Sequence, residues 1–403
     1  MPNRAAHIFN SNNIDDYGMN LFRAGLYEEA ARHWQKTARA NQHDPVFYYY
    51  RGWCRLFLGE AGDASVDMET ACSMFRRFYM EDWQAKAETI FYLTAGDYER
   101  SLKNCQQLQS QILQFNQEFS FIAGLNCFYM KDMQQAAHHW QMLLAHIGDK
   151  NQPTENNGWI NAALINKWVA QALLEIGDAQ AADIAATTAI SAGFAAASVY
   201  LIRAQARKKM QRFEESLHDI SLAIEMNSSS PEFFQCRGDL LCDMGRHEEA
   251  LASFNTAHKL NPENSTILLS RGRCWQHLNF ADRALADYST VIARQENIDQ
   301  HFKASVWHKR ALLYAERGQI EMAIRDFDAA VIHSPHNLEL RQDRAIFLLR
   351  QGRSMEEAEK DFSYILEKQQ HDDPLLYWYR AQCRFALKRI DDANEDMKKA
   401  SHA

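Results

Sequence analysis

The chain has 403 residues, of which 46% are hydrophobic and 24% charged, and it carries a formal net charge of −8. Proteins that grip the nucleic-acid backbone usually present a basic face, so this acidic balance argues against nucleic-acid binding. The low content of Pro (7) and Gly (16) favours helices joined by short turns and leaves no room for a long linker.

The opening segment, MPNRAAHIFNSNNIDDYG, has no apolar core of the length that a secretory signal needs. No apolar run is long enough for a membrane-spanning helix. The eight cysteines contain no CxxC pair and mostly fall on apolar helix faces, which is typical of buried thiols in a reducing compartment. We therefore expect a cytoplasmic protein with no membrane insertion.

A spacing of thirty-four residues recurs along the chain and predicts eleven helix–turn–helix units. The units are placed at 11–44, 45–78, 82–115, 117–150, 163–196, 197–230, 231–264, 265–298, 304–337, 338–372 and 374–403. The segment NQPTENNGW, from residue 151, interrupts the series with loop-forming residues. It is predicted to be a tolerated surface insertion; the alternatives are that it bends the superhelix or acts as a contact loop. The predicted organisation is an N-terminal sub-array at 1–150, an insertion loop at 151–162 and a C-terminal sub-array at 163–403.

The clearest unit is 231–264, which reads PEFFQCRGDLLCDMGRHEEALASFNTAHKLNPEN. With Pro231 as position 1, its signature residues are Gly238 at 8, Gly245 at 15, Ala250 at 20, Phe254 at 24, Ala257 at 27 and Pro262 at 32. Small residues allow two helices to approach closely, and the aromatic residue fills the remaining space. This pattern resembles the tetratricopeptide repeat (TPR) family, which implies an all-α, right-handed solenoid of antiparallel helix pairs.

A second regularity supports this register. Arginine recurs at position 7, as Arg51, Arg203, Arg237, Arg271, Arg310, Arg344 and Arg380, and aspartate recurs at position 23, as Asp67, Asp219, Asp287, Asp326, Asp361 and Asp396. The seventh unit has the arginine but carries Ser253 at position 23. The pattern predicts a partly shielded ion pair between the two helices of a unit or between neighbouring units.

The sequence shows no motif for catalysis. There is no HExxH, Walker A, GxGxxG or GxSxG sequence. The adjacent His138 and His139 would point about 100° apart on a helix and could not easily share a metal. We expect no enzymatic activity, no cofactor and no metal.

The resemblance implies that positions 2, 5, 9 and 12 of each first helix line an inner groove. In the first four units these positions hold a set of apolar residues that we predict to bind a partner: Met19, Phe22, Tyr49, Trp53, Leu56, Trp83, Ile90, Phe121, Leu125 and Phe128. One interpretation is a groove that takes an amphipathic helix or an extended apolar segment. The alternative is that these side chains pack against one another.

The corresponding positions in units six to nine are more polar. Lys208, Arg273 and His308 form a second candidate set, which would attract an acidic group. The Lys/Asn pattern by which some TPR domains hold a terminal carboxylate is missing. The chain is therefore expected to use another mode of binding.

These features predict a protein–protein interaction scaffold that binds a partner segment in the TPR groove. The alternatives are a regulatory protein that senses a peptide or ligand, and a non-catalytic subunit of an enzyme complex. The last unit has no additional helix to cover it, and its second helix is polar enough to act as a cap. Self-association through Trp378 and Phe385 of this unit remains the other interpretation.

Overall fold

A computed structural model describes residues 16–40, 44–111, 117–148, 160–194, 196–294, 299–369 and 373–402 of the protein. These ranges contain α-helices and short turns, and no strand. None of the helices in these ranges combines the length and the apolar character needed to cross a bilayer.

The helices come in consecutive antiparallel pairs. In chain order, α1 to α12 are Asp16–Arg23, Tyr27–Ala40, Pro45–Phe57, Ala61–Arg77, Glu81–Thr94, Tyr98–Gln111, Gln117–Tyr129, Met133–Gly148, Ala162–Ile176, Ala179–Ser191, Ala197–Lys209 and Phe213–Met226. Helices α13 to α22 are Pro231–Asp243, His247–Leu260, Ser265–His277, Ala281–Ala293, Gln300–Glu316, Ile320–His333, Leu338–Gln351, Met355–Lys368, Pro374–Ala386 and Ile390–His402. Each predicted unit holds one pair, so the all-α repeat architecture is confirmed.

Local sequence explains where the helices start and why they pair. Asp44 and Asp373 each cap a first helix by accepting a hydrogen bond from a backbone N–H, and each is followed by a proline at the first helical position. Within the seventh pair, a Cβ on Gly238 would lie 2.6 Å from Cε1 of Phe254. Position 8 must therefore be small for the aromatic ring at position 24 to fit.

The predicted arginine–aspartate pairs are present and lie within one repeat. Arg51, Arg203, Arg271, Arg310, Arg344 and Arg380 each donate from Nε and a terminal nitrogen to the aspartate of the second helix. The aspartate carboxylates are buried. In the seventh repeat Arg237 donates to the hydroxyl of Ser253 over 3.0 Å instead. The pairs thus join the two helices of a unit.

The chain divides into two compact blocks of helix pairs, residues 1–233 and 234–403. From here on these two blocks are the first and second unit, and a single helix pair is a repeat. In the first unit one hydrophobic cluster runs from Met19 to Ala206. In the second unit the buried residues form several smaller clusters, each shared by adjacent repeats. The predicted insertion loop at 151–162 lies mostly outside the described residues, and the sub-array boundary placed there stays a prediction.

Candidate functional site

Most of the predicted apolar groove lies in the interior of the first unit. Met19, Phe22, Tyr49, Trp53, Leu56, Ile90, Phe121 and Leu125 are buried, whereas Trp83 and Phe128 are partly buried and pack against the same cluster. The structure brings these side chains together in one cluster. They contact one another, which is the arrangement that the alternative interpretation describes.

Phe57 lies at the centre of this packing. Its ring centroid is 4.9 Å from that of Tyr27, 5.3 Å from that of Trp53 and 5.8 Å from that of Trp168. These partners come from the first, second and fifth repeats. Aromatic side chains of non-adjacent repeats therefore occupy the space where an open groove would lie.

The connection between α10 and α11 also reaches the first repeat. Phe194 is buried, and a Cβ on Gly25 would lie only 2.7 Å from its Cζ atom. The rings of Phe194 and Tyr27 are 6.4 Å apart. The first unit is thus closed by contacts between its first repeat and the end of its fifth.

Polar groups lie within and beside this interior. The carboxylate of Glu118 accepts a short hydrogen bond from the hydroxyl of Tyr49 and forms an ion pair with Lys86 over 2.8 Å. The ammonium of Lys167 lies 3.5 Å from the centroid of the Trp168 ring. Burial lowers the pKa of Lys167 to about 7, because the charged form is poorly solvated there.

The predicted polar set is divided between the two units. Lys208 belongs to the first unit, whereas Arg273 and His308 belong to the second. Arg273 is exposed. His308 is buried, and its Nε2 is 2.7 Å from a carboxylate oxygen of Asp343. An acidic group already occupies the position that His308 would offer to a ligand.

The inner positions of the second unit are more open than those of the first. In α21, Leu375 at position 2 is 52% exposed and Trp378 at position 5 is 42% exposed. Three residues of separation place the two side chains on one face of the helix. Tyr49 and Phe121, which hold position 5 in the second and fourth repeats, are fully buried.

A cluster that the sequence reasoning missed lies between the seventh and eighth repeats. Cys242 is the penultimate residue of α13, His247 begins α14 and Cys274 lies in α15. Their ligand atoms are all within 4.8 Å of one another. The contact with the thiol of Cys274, and after it the ring of His247, lowers the pKa of Cys242. The same contact raises the pKa of Cys274. The sequence carries one signal for this cluster, a histidine shortly after each cysteine, as C-x4-H at Cys242–His247 and C-x2-H at Cys274–His277.

The comparison with known families decides the assignment. Residues 231–264 match the family model described as "Tetratricopeptide repeat". These residues therefore form a tetratricopeptide repeat (TPR). The match covers one repeat, and the eleven helix pairs of the described residues extend the same pattern along the TPR array. The TPR fold is typically non-catalytic and generally serves protein interaction.

Solved structures give weaker likenesses to this TPR array. A tetratricopeptide repeat protein from Parabacteroides merdae is 17% identical over 66% of this chain and 98% of its own, with a TM-score of 0.49. Yeast Tom70 is 16% identical over 96% of this chain and 90% of its own, with a TM-score of 0.46. YrrB, described as a TPR protein with an unusual peptide-binding site, is 19% identical over 45% of this chain and 90% of its own, with a TM-score of 0.38. No curated protein matches the chain.

Proposed function

We propose that this TPR protein is an interaction scaffold that binds a segment of a partner protein on the inner face of its second unit. This face is formed by positions 2, 5, 9 and 12 of α15, α17, α19 and α21. The observation that carries the proposal is the exposure of Leu375 and Trp378 at these positions. An exposed tryptophan beside an exposed leucine forms an apolar patch, and tryptophan is the residue type most enriched among residues that dominate binding energy.

The first unit supports this choice by contrast. The inner positions of its first four repeats are filled by its own apolar side chains, so a partner there would have to displace contacts such as the one between Phe57 and Trp168. The ten apolar residues named above stay a prediction as a binding surface. The second unit offers inner apolar groups that need no such displacement.

Arg273 adds a charged group to the same set of inner positions. It holds position 9 of α15 and is exposed. A partner segment with an apolar anchor for Trp378 and an acidic group would use both features. The proposed scaffold therefore favours an acidic, amphipathic segment.

The test is a quantitative capture experiment with the full chain. Tagged wild-type protein and the double variant Leu375→Ala/Trp378→Ala are used to capture partners from the native cell, and the bound proteins are measured by mass spectrometry. The matched control is Tyr79→Ala/Ile332→Ala. It removes two apolar side chains that lie outside the inner face and are 89% and 74% exposed.

We expect the captured amount of at least one protein to fall by about tenfold or more with the double variant, and to stay at the wild-type level with the control variant. Equal capture by all three proteins would contradict the assignment of this face. Circular dichroism and thermal unfolding of each variant show that the capture differences do not reflect a loss of fold.

A further inference from the structure

Three elements of the second unit bring two thiols and an imidazole together. The turn after Cys242 reverses the chain, so that the end of α13 lies beside His247 at the start of α14. Helix α15 packs against α14 and adds Cys274. The two sulfur atoms and the imidazole nitrogen are all within 4.8 Å of one another, and no other group of three such side chains occurs in the described part of the chain.

We propose that Cys242, His247 and Cys274 bind a zinc ion. Two cysteine thiolates and one imidazole are the ligand types that zinc prefers, and the mixture disfavours hard cations such as magnesium or calcium. The zinc proposal does not rest on the partner site proposed above, whose apolar anchors Leu375 and Trp378 lie in a different repeat.

The geometry requires only small adjustments. Zinc sites have Zn–S distances of about 2.3 Å and Zn–N distances of about 2.0 Å, so tetrahedral donor atoms lie about 3.5 Å apart. The observed upper limit of 4.8 Å exceeds this separation by about 1 Å. Side-chain rotation of Cys242 and His247, both partly exposed, can provide such a shift without moving a helix axis.

The imidazole of His247 points independently to a ligand. Its Nδ1 atom is buried and has no hydrogen-bond partner among the described residues. Buried polar atoms are nearly always paired, so an orphaned nitrogen calls for an explanation. Nδ1 of His258, also in α14, is likewise buried without a partner, but among the described residues only His247 has two thiols beside it. A metal ion bound to His247 would satisfy the nitrogen that the protein leaves unpaired.

Ordinary packing explains only one member of the group. Cys54, Cys274 and Cys383 all occupy position 10 of their repeats and are all buried, so a small apolar residue suits that position in any repeat. This reason does not apply to Cys242 at position 12 or to His247 at position 17. Cys274 also donates a hydrogen bond from its thiol to the backbone carbonyl of His247 over 3.1 Å, which holds α15 against the start of α14.

Binding balances as the uptake of one Zn²⁺ and the release of up to two protons, from the thiols of Cys242 and Cys274. No oxidant or reductant takes part. The fourth coordination position is left to water or to His277, whose ring is parallel to that of His247 at a centroid distance of 4.8 Å. Such a site would fasten the seventh repeat to the eighth.

The experiment uses the reduced, metal-free full chain, to which Zn²⁺ and, separately, Co²⁺ are added. Zinc stoichiometry is measured by competition with a chromophoric chelator. Cobalt reports its ligands through thiolate-to-metal charge-transfer absorption and the visible bands of a tetrahedral ion. The variants are Cys242→Ser, Cys274→Ser and His247→Ala, and the control is Cys383→Ser, which changes a buried cysteine at the same repeat position as Cys274.

We expect one zinc per chain, a tetrahedral cobalt spectrum with thiolate charge transfer, and a zinc-dependent rise in thermal stability for the wild type and Cys383→Ser. All three signals should be lost in Cys242→Ser and His247→Ala, two partly exposed positions whose substitution leaves the helical circular dichroism intact. Substoichiometric binding, equal binding by every variant, or a reduced chain that binds no metal while the untreated chain carries a Cys242–Cys274 disulfide would each overturn the proposal.

Discussion

Arg203 and Asp219 are joined by two parallel hydrogen bonds, from Nε over 3.0 Å and from Nη2 over 2.6 Å, between the two helices of the sixth repeat. Arg207 adds a third donor to the same carboxylate over 2.9 Å. The carboxylate is fully buried, so its charge depends on these donors for compensation.

Asp219→Ala should lower the free energy of unfolding by about 3–5 kcal/mol, because it leaves the shielded Arg203 without its counter-ion and leaves Arg207 with Asp183 as its remaining close acidic partner. Urea denaturation followed by circular dichroism measures the effect. Glu28→Ala is the control, since it breaks an ion pair with Arg32 in which both side chains are exposed, and such pairs contribute at most about 1 kcal/mol. Equal effects of the two substitutions would show that burial does not decide the strength of these pairs.

The seventh repeat offers the reverse experiment. Arg237 bonds to the hydroxyl of Ser253, and burial lowers the pKa of Arg237. Ser253→Asp supplies the carboxylate that six other repeats have at this position, and it should raise the free energy of unfolding by about 1.5 kcal/mol through charge-assisted hydrogen bonds. Thermal unfolding measures the change. A lower melting temperature would mean that the cost of burying the introduced carboxylate exceeds the gain from pairing.

Trp53→Ala should behave as a core substitution. Trp53 is fully buried against Phe57 and Phe121, so its truncation should cost about 3–5 kcal/mol. Trp378→Ala, which removes a side chain that is 42% exposed, should cost clearly less. Chemical denaturation of both variants measures the contrast. If Trp53→Ala leaves stability unchanged but abolishes partner capture, the first unit has the open apolar groove after all.

Lys167 should make stability depend on pH. Burial lowers its pKa to about 7 in the folded chain, whereas a lysine in the unfolded chain has a pKa of about 10.4. Between these values the unfolded chain binds more protons than the folded chain, so the contribution of this group to the free energy of unfolding rises with pH. Below about pH 7 both states are protonated and the contribution stays at its lowest.

Lys167→Met should therefore stabilise the protein at neutral pH and reduce the rise in stability between about pH 7 and pH 9. Urea denaturation at a series of pH values measures both effects. Lys86→Met is the matched control, because Lys86 has Glu118 as a counter-ion. Parallel pH profiles for the wild type and Lys167→Met would contradict the expected titration.

Sequence reasoning succeeded where the structure is determined within one repeat. The close approach of Gly238 and Phe254 and the pairing of Arg203 with Asp219 join neighbouring helices, so a fixed spacing reveals them. The contact between Phe57 and Trp168 depends on how tightly several repeats curve. That curvature is the sum of many small packing differences between repeats, and no fixed spacing in the sequence reveals it. Cys242, His247 and Cys274 were missed because they hold unrelated positions in two repeats and no short motif contains all three.

The contact of Phe194 with Gly25 has a consequence for how the first unit folds. In an ordinary solenoid each repeat adds to its neighbour, so chains can grow or be shortened one repeat at a time. Here the first repeat and the end of the fifth depend on each other although they are far apart in the sequence. Pairing them requires closure of a long loop, which slows folding. Residues 16–194 should therefore form a single cooperative block that does not tolerate trimming from its N-terminal side.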